Sequence, residues 1–179
     1  MSGSFDARPH RAGGGEPLYF PSEVRVLGRA AGHGAPRKAI VGLISTLTAA
    51  LGYPGAGVTL CLVSPARSLV LNRDFRGEDH ATDVISFPAQ EGLVPEGFSG
   101  YLGDLAFCPQ IAWERKGRFE KDFGGEAAFL VLHGLLHLSG RHHDTPAQER
   151  ALWRLSARLH PASVPFRSEL GRLAPTPQR

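Results

Sequence analysis

Between Phe129 and His143 the chain reads FLVLHGLLHLSGRHH, and its first ten residues form an apolar segment of helical spacing that carries two histidines. At about 3.6 residues per turn, His133 and His137 stand on one face roughly one turn apart, the spacing at which two imidazoles chelate one ion. Gly140 falls where a left-handed helix cap belongs, so the chain can turn back and bring His143 toward the same ion from outside the helix. Three neutral imidazoles leave a fourth position for water, whose pKa a bound zinc ion lowers from about 15.7 to about 7. The expected cofactor is one Zn²⁺ per chain on His133, His137 and His143. The plainer alternative makes His133 and His137 core histidines satisfied by backbone carbonyls or neighbouring side chains. Two imidazoles at this spacing, followed by glycine and a third histidine at the return distance, would be an odd accumulation of polar groups in an apolar helix. His142 and Asp144 compete for the third place; spacing favours His143 and leaves His142 exposed or supporting another ligand.

Working outward, Glu23–Leu27 alternates as a short strand, and Arg37–Leu51 places apolar residues at helical spacing before Gly52 stops it. Gly57–Val63 (GVTLCLV) is an apolar strand, Pro65–Phe75 a helix, and Asp83–Phe87 (DVISF) a short strand closed by Pro88. Gly92–Gly100 is a loop and Tyr101–Cys108 (YLGDLAFC) a further strand. Pro109–Lys116, Gly125–Leu138 and Pro146–His160 read as helices. The mixture implies an α+β fold, α/β-like in texture, in which a small mixed sheet of about four strands is covered by helices. With no internal repeat or break in composition, one catalytic domain is expected over residues 18–165. Flexible tails are expected over 1–17 and 166–179.

The chain of 179 residues is long enough to close one core without disulfides or structural metals. A metal is therefore expected to serve function rather than folding. Its apolar share of 42% and charged share of 21% are near globular averages and exclude wholesale disorder and fibrous architectures. Cys61 and Cys108 lie far apart in no C-x-x-C spacing, so both are expected as reduced core residues. Without a signal-peptide core or an apolar run of about eighteen residues, a cytoplasmic location and no membrane partner are expected. The net charge is only +3, with seventeen Arg against three Lys. Arg forks suit phosphate, but a GC-rich coding sequence that writes Arg for Lys explains the bias equally well.

The pattern H-x-x-x-H-x-x-G-x-x-H also occurs in metzincin metalloproteases, giving the predicted helix a zincin-like character. In those enzymes Glu follows the first His and acts as general base; here that position is Gly134. Peptide hydrolysis would need another group to move the proton. A phosphodiester asks for less, because a metal ion and Arg assist its anionic transition state and alkoxide leaving group.

HGLLHLSGRHH resembles the H-G-x-L-H-L-x-G-[YF]-D-H signature of the YbeY family of bacterial endoribonucleases. Leu71–Pro88 (LNRDFRGEDHATDVISFP) is similar to that family's L-N-x-x-[YF]-R-x-x-D-x-x-T-[DN]-V-L-S-F-P segment, and Leu102–Leu105 (LGDL) to its L-G-D-I strand. The resemblance implies a metal-dependent, single-strand-specific endoribonuclease acting in maturation of the small-subunit rRNA 3′ end and in ribosome quality control. Its partners would be single-stranded RNA and the ribosomal small subunit, with no nucleotide cofactor. By position it implies His133, His137 and His143 as metal ligands and Arg76 as the cleft arginine. Arg141 and His142 depart from the pattern, where the family has an aromatic residue and Asp; Asp144, one residue past His143, is the candidate to take over that Asp's supporting role.

Around this centre, Arg76 either clamps a substrate phosphate or pairs on the surface with Asp74, Glu78 or Asp79, and the resemblance favours catalysis. Arg73 is expected as a solvated charge. Asp79, Thr82 and Asp83 suit local backbone bonding in a turn. Asp104, in an apolar strand, needs a partner, either Arg76 or a metal-bound histidine in a functional role or another group in a structural one. Phe87 is expected to pack in the core, with base stacking as its other use. Two rivals accompany the endoribonuclease: a zinc peptidase, and a ribosome-associated RNA-binding protein whose metal supports the fold.

Overall fold

The computed structural model describes residues 23–28 and 36–175. The expected tail over 1–17 and the last four residues of the expected C-terminal tail lie outside them. In chain order the elements are β1 (Val24–Leu27), α1 (Arg37–Ala50), β2 (Gly57–Leu62), α2 (Pro65–Arg76), β3 (Val84–Pro88) and β4 (Tyr101–Phe107). Then follow α3 (Pro109–Glu114), α4 (Phe123–Leu138), α5 (Pro146–Leu159), a 3₁₀ segment (His160–Phe166), α6 (Arg167–Leu170) and a final 3₁₀ turn (Gly171–Leu173). No helix among the described residues is long and apolar enough to cross a membrane.

The sheet has the order β1-β2-β4-β3, as the mixed four-stranded sheet expected. β1, β2 and β4 run parallel, and β3 lies antiparallel to β4 along the edge. β2 is buried at all six positions, which is why GVTLCL is a continuous apolar run: a parallel central strand meets protein on both faces. One face carries Leu105 and Phe107 into the main core with α1 and α4. The opposite face packs Ile85 and Ala106 under Leu71 of α2.

Helix α4 is the centre of that core. Asp122 caps it, its side chain accepting from the Gly125 amide at 2.8 Å. Fourteen of its sixteen residues are buried, and the two that are not are His133 and His137. A helix that is apolar nearly all round belongs inside a protein, so this one has elements packed on every side except where the two imidazoles emerge. Glu126, buried in its first turn, accepts from the backbone amides of Phe119 and Glu120 at 3.1 and 2.9 Å and pins the preceding loop.

The expected flexible tail from 166 is corrected by the structure. Residues 160–173 are helical, and Leu170 and Leu173 are 0% and 3% exposed within the main core. Arg167 and His160 both meet Glu120, at 3.2 and 3.0 Å. The Gly, Pro and Arg content of this stretch concealed two leucines three residues apart that fill space beside α4. Leu170→Ala is therefore expected to lower the unfolding free energy by about 2–4 kcal/mol in urea titration; a change within roughly 0.5 kcal/mol would fit a tail instead.

Candidate metal centre

His133 and His137 leave α4 on the same side, and their Nε2 atoms are 3.1 Å apart. His143 joins them from the loop after the helix, and ligand nitrogens of all three lie within 4.8 Å of one another. The return depends on Gly140, which has φ +79°; a Cβ there would stand 2.0 Å from the Gly92 carbonyl oxygen. Only glycine fits both the left-handed turn and the close approach.

The donor set suits a borderline metal ion. With Zn–N bonds of about 2.0–2.1 Å, tetrahedral geometry puts ligand nitrogens about 3.4 Å apart, close to the separation of the two Nε2 atoms. Burial, and next the neighbouring His143, push the His133 imidazole from 6.5 down to about 4. Burial, followed by His133 and His143, push His137 down to about 3. Both are thus neutral at physiological pH, the form that ligates a metal. Among the described residues, the histidines form a group of three with no carboxylate or thiolate in it. These three side chains could hold one metal ion.

His142 stands behind this group rather than in it, its Nδ1 3.3 Å from Nδ1 of His137, on the side of the ring away from His133. Arg141, at the position of the family's aromatic residue, donates to Tyr53 Oη at 2.9 Å and Ser139 Oγ at 2.7 Å. It thereby ties the turn to the loop that follows α1. Asp144 is exposed on the wall of the cavity.

That cavity has a volume of about 500 Å³ and opens beside the histidines. Arg76, the last residue of α2, lines it and is exposed. Gly77 ends the helix there at φ +73°. The next loop is fastened back onto α2: Ser68 Oγ donates to the Thr82 carbonyl at 2.6 Å, and Asn72 Nδ2 to the His80 carbonyl at 2.8 Å. Asp83 has the local structural role expected of it, accepting from the Val84 amide at 2.9 Å and pairing with Arg115 at 3.3 Å. Arg73 pairs with exposed Asp74 at 3.4 Å and does not line the cavity.

Two sequence expectations about strand residues are decided by the pleat. Phe87 and Asp104 are register partners on the sheet face away from α4, one position from Ser86 and Leu105, which face it. Phe87 packs edge-on against Phe75 with ring centroids 5.0 Å apart. Asp104 accepts from Tyr101 Oη at 2.6 Å, so neither Arg76 nor a histidine of the cluster is needed to account for it. Arg118, Phe119 and Trp153 line the cavity as well. No motif marked them, because they lie on two segments far apart in sequence that meet only through folding.

Gly134, where a metzincin-like motif would carry Glu, faces the sheet. A Cβ at this position would stand 2.7 Å from Leu105 Cδ2 and 3.4 Å from Ser86 Oγ. Any side chain there would first have to displace Leu105.

The depressed imidazoles carry a pH dependence. Without metal, the folded protein keeps His133 and His137 neutral below 6.5 while the unfolded chain protonates them, so stability falls as pH drops from 6.5 through about 4 and about 3. The urea midpoint of the metal-free protein is expected to be lower at pH 5 than at pH 7.5. The drop should shrink in a His133→Ala/His137→Ala variant, and equal drops in the two proteins would contradict this assignment.

A family model described as Endoribonuclease YbeY matches residues 36–161. The chain is 40% identical over 111 residues to Endoribonuclease YbeY of Anaeromyxobacter sp. (strain Fw109-5), covering 62% of this chain and 56% of that protein. It is 32% identical over 138 residues to Endoribonuclease YbeY of Cutibacterium acnes, covering 73% and 89%. The match thus spans little more than half the length of the first relative and most of the second. Among solved structures, the solution structure of TM1509 from Thermotoga maritima is similar with a TM-score of 0.57 and 27% identity, over 87% of this chain and 99% of that one.

Proposed function

The chain belongs to the YbeY family, and from that premise we propose that it is a zinc-dependent, single-strand-specific endoribonuclease. We place its work in the cytoplasm, in maturing the 3′ end of small-subunit rRNA and in ribosome quality control. The observation that carries the reading is the meeting of three imidazoles and one helix-terminal guanidinium on a single open cavity.

In this reading His133, His137 and His143 hold the ion through ring nitrogens, those of His133 and His137 kept neutral by burial. When bound, the ion supplies Lewis acidity toward a phosphoryl oxygen. Arg76 binds the scissile phosphate in its planar fork and stabilises the charge that grows on the non-bridging oxygens. The Ser68 and Asn72 bonds fix the loop beyond Arg76, so the guanidinium is presented by a settled helix end. His142 orients the His137 ring through its second nitrogen.

The peptidase alternative lacks the general base of its motif, since residue 134 is glycine and a side chain there would collide with Leu105. A metal needed only for folding is disfavoured by the core, which closes around α4 without calling on the histidines.

Single-stranded RNA should be cut in the presence of zinc and left intact with a chelator. His137→Ala and Arg76→Ala should each lower kcat/KM by about 10²-fold or more while thermal unfolding of the metal-free proteins stays close to that of the parent. Cleavage of casein but not RNA would overturn the reading, as would full RNase activity in either variant.

A further inference from the structure

The cavity has a second wall that the proposed phosphate chemistry does not use. Besides the histidines and Arg76 it is lined by Arg118, Phe119 and Trp153. Among the described residues the large apolar side chains left exposed are Leu27, Phe75, Leu93, Trp153 and Val164, and of these only Trp153, 40% exposed, lines the cavity. A single exposed hydrophobic is ordinary on a protein surface. This one is set apart by its company.

Beneath it lies Phe129 of α4, 7% exposed, whose ring is within 15° of parallel to Trp153 at 5.7 Å and within 25° of parallel to Phe119 at 4.5 Å. Phe129 is also near parallel to the His133 ring, at 19° and 6.4 Å. The aromatic wall and a metal-facing imidazole are therefore aligned through one buried ring. The wall is held in place from below, because Glu126 of α4 accepts the amides of Phe119 and Glu120. Arg118 lies over the Phe119 ring, its guanidinium carbon 5.0 Å from the centroid, so Phe119 is sandwiched between Phe129 and a cation and the free aromatic face beside it is that of Trp153.

We propose that Trp153, backed by Phe129 and flanked by Phe119 and Arg118, is a stacking platform for a nucleobase of the single-stranded RNA whose scissile phosphate lies between Arg76 and the three histidines. This rests on the endoribonuclease reading and gives it a physical source of strand selectivity. Aromatic side chains stack on any base, which makes the contact tolerant of sequence. A base in a duplex is already stacked on its neighbours and paired, so it is withheld from the platform. The cavity volume of about 500 Å³ lies within the range of roughly 300–1,000 Å³ typical of sites for small organic ligands, so a nucleoside fits beside the phosphate.

The test uses the full-length chain carrying Trp113→Phe, which leaves Trp153 as the one indole of the two in the sequence; Trp113 packs on Phe123 and does not line the cavity. The probes are a six-nucleotide single-stranded RNA and the same RNA with one abasic nucleotide moved along it, titrated with chelator present so that no strand is cut. The intact RNA should quench the indole, and an abasic nucleotide at one or two positions should abolish most of the quench and weaken binding about tenfold. With zinc, Trp153→Leu should raise KM about tenfold with kcat held within about twofold, and Trp153→Phe should keep KM near the parent value. Equal quenching by every abasic RNA, or an unchanged KM in a folded Trp153→Leu protein, would overturn the platform. Base-dependent quenching without cleavage would leave the platform standing and remove the nuclease reading; cleavage without base-dependent quenching would do the reverse.

Discussion

A helix buried on every side tolerates polar groups only where each has a partner or a task, and α4 carries three. Glu126 receives two backbone amides and fixes the loop before the helix. The other two, His133 and His137, sit at the two positions of α4 that are not buried, one turn apart, with Nε2 atoms facing each other. Everything around the centre follows from this placement. The apolar remainder of α4 anchors it to the sheet through Leu105 and its neighbours, so the imidazoles project from a rigid element rather than from a loop. Their neutrality follows from the same burial that makes the helix stable.

The rest of the site is assembled around that opening by elements that stop there. α2 ends at Arg76 because Gly77 takes a left-handed conformation, and α4 passes through Ser139 into the Gly140 turn that returns His143. The turn is crowded against the Gly92 carbonyl, and Arg141 fastens it to Tyr53 and Ser139. Arg141 thus gives the departure from the family's aromatic residue a structural use in this chain. Site geometry and core packing are consequently coupled: the helix that supplies two histidines is also the one that Leu170 and Leu173 pack beside.

Much of this was legible in the residues. The apolar run of β2, the spacing of His133, His137 and His143, and the glycine between them each have one economical structural meaning, and the observed elements agree with it within a residue or two. Strand order and direction were not legible, because they depend on which partner each edge finds. The helical stretch at 160–173 was missed because composition outweighed two leucines. Asp104 invited a functional reading until the pleat put it on the far face of the sheet beside Tyr101. Phe119 and Trp153 carried no pattern at all: one lies in a loop and the other on α5, and only their packing on Phe129 and on each other brings them to one wall.

The metal centre proposed here has three imidazoles sharing one ion and leaving it a position open to a ligand. X-ray absorption at the zinc edge of the metal-loaded protein addresses it directly. The expected spectrum shows one zinc per chain with three imidazole nitrogens at about 2.0–2.1 Å and a light oxygen scatterer, one imidazole fewer in His143→Ala, and an unchanged shell in His142→Ala. A shell of four protein ligands, or a loss that follows His142 instead of His143, would contradict it.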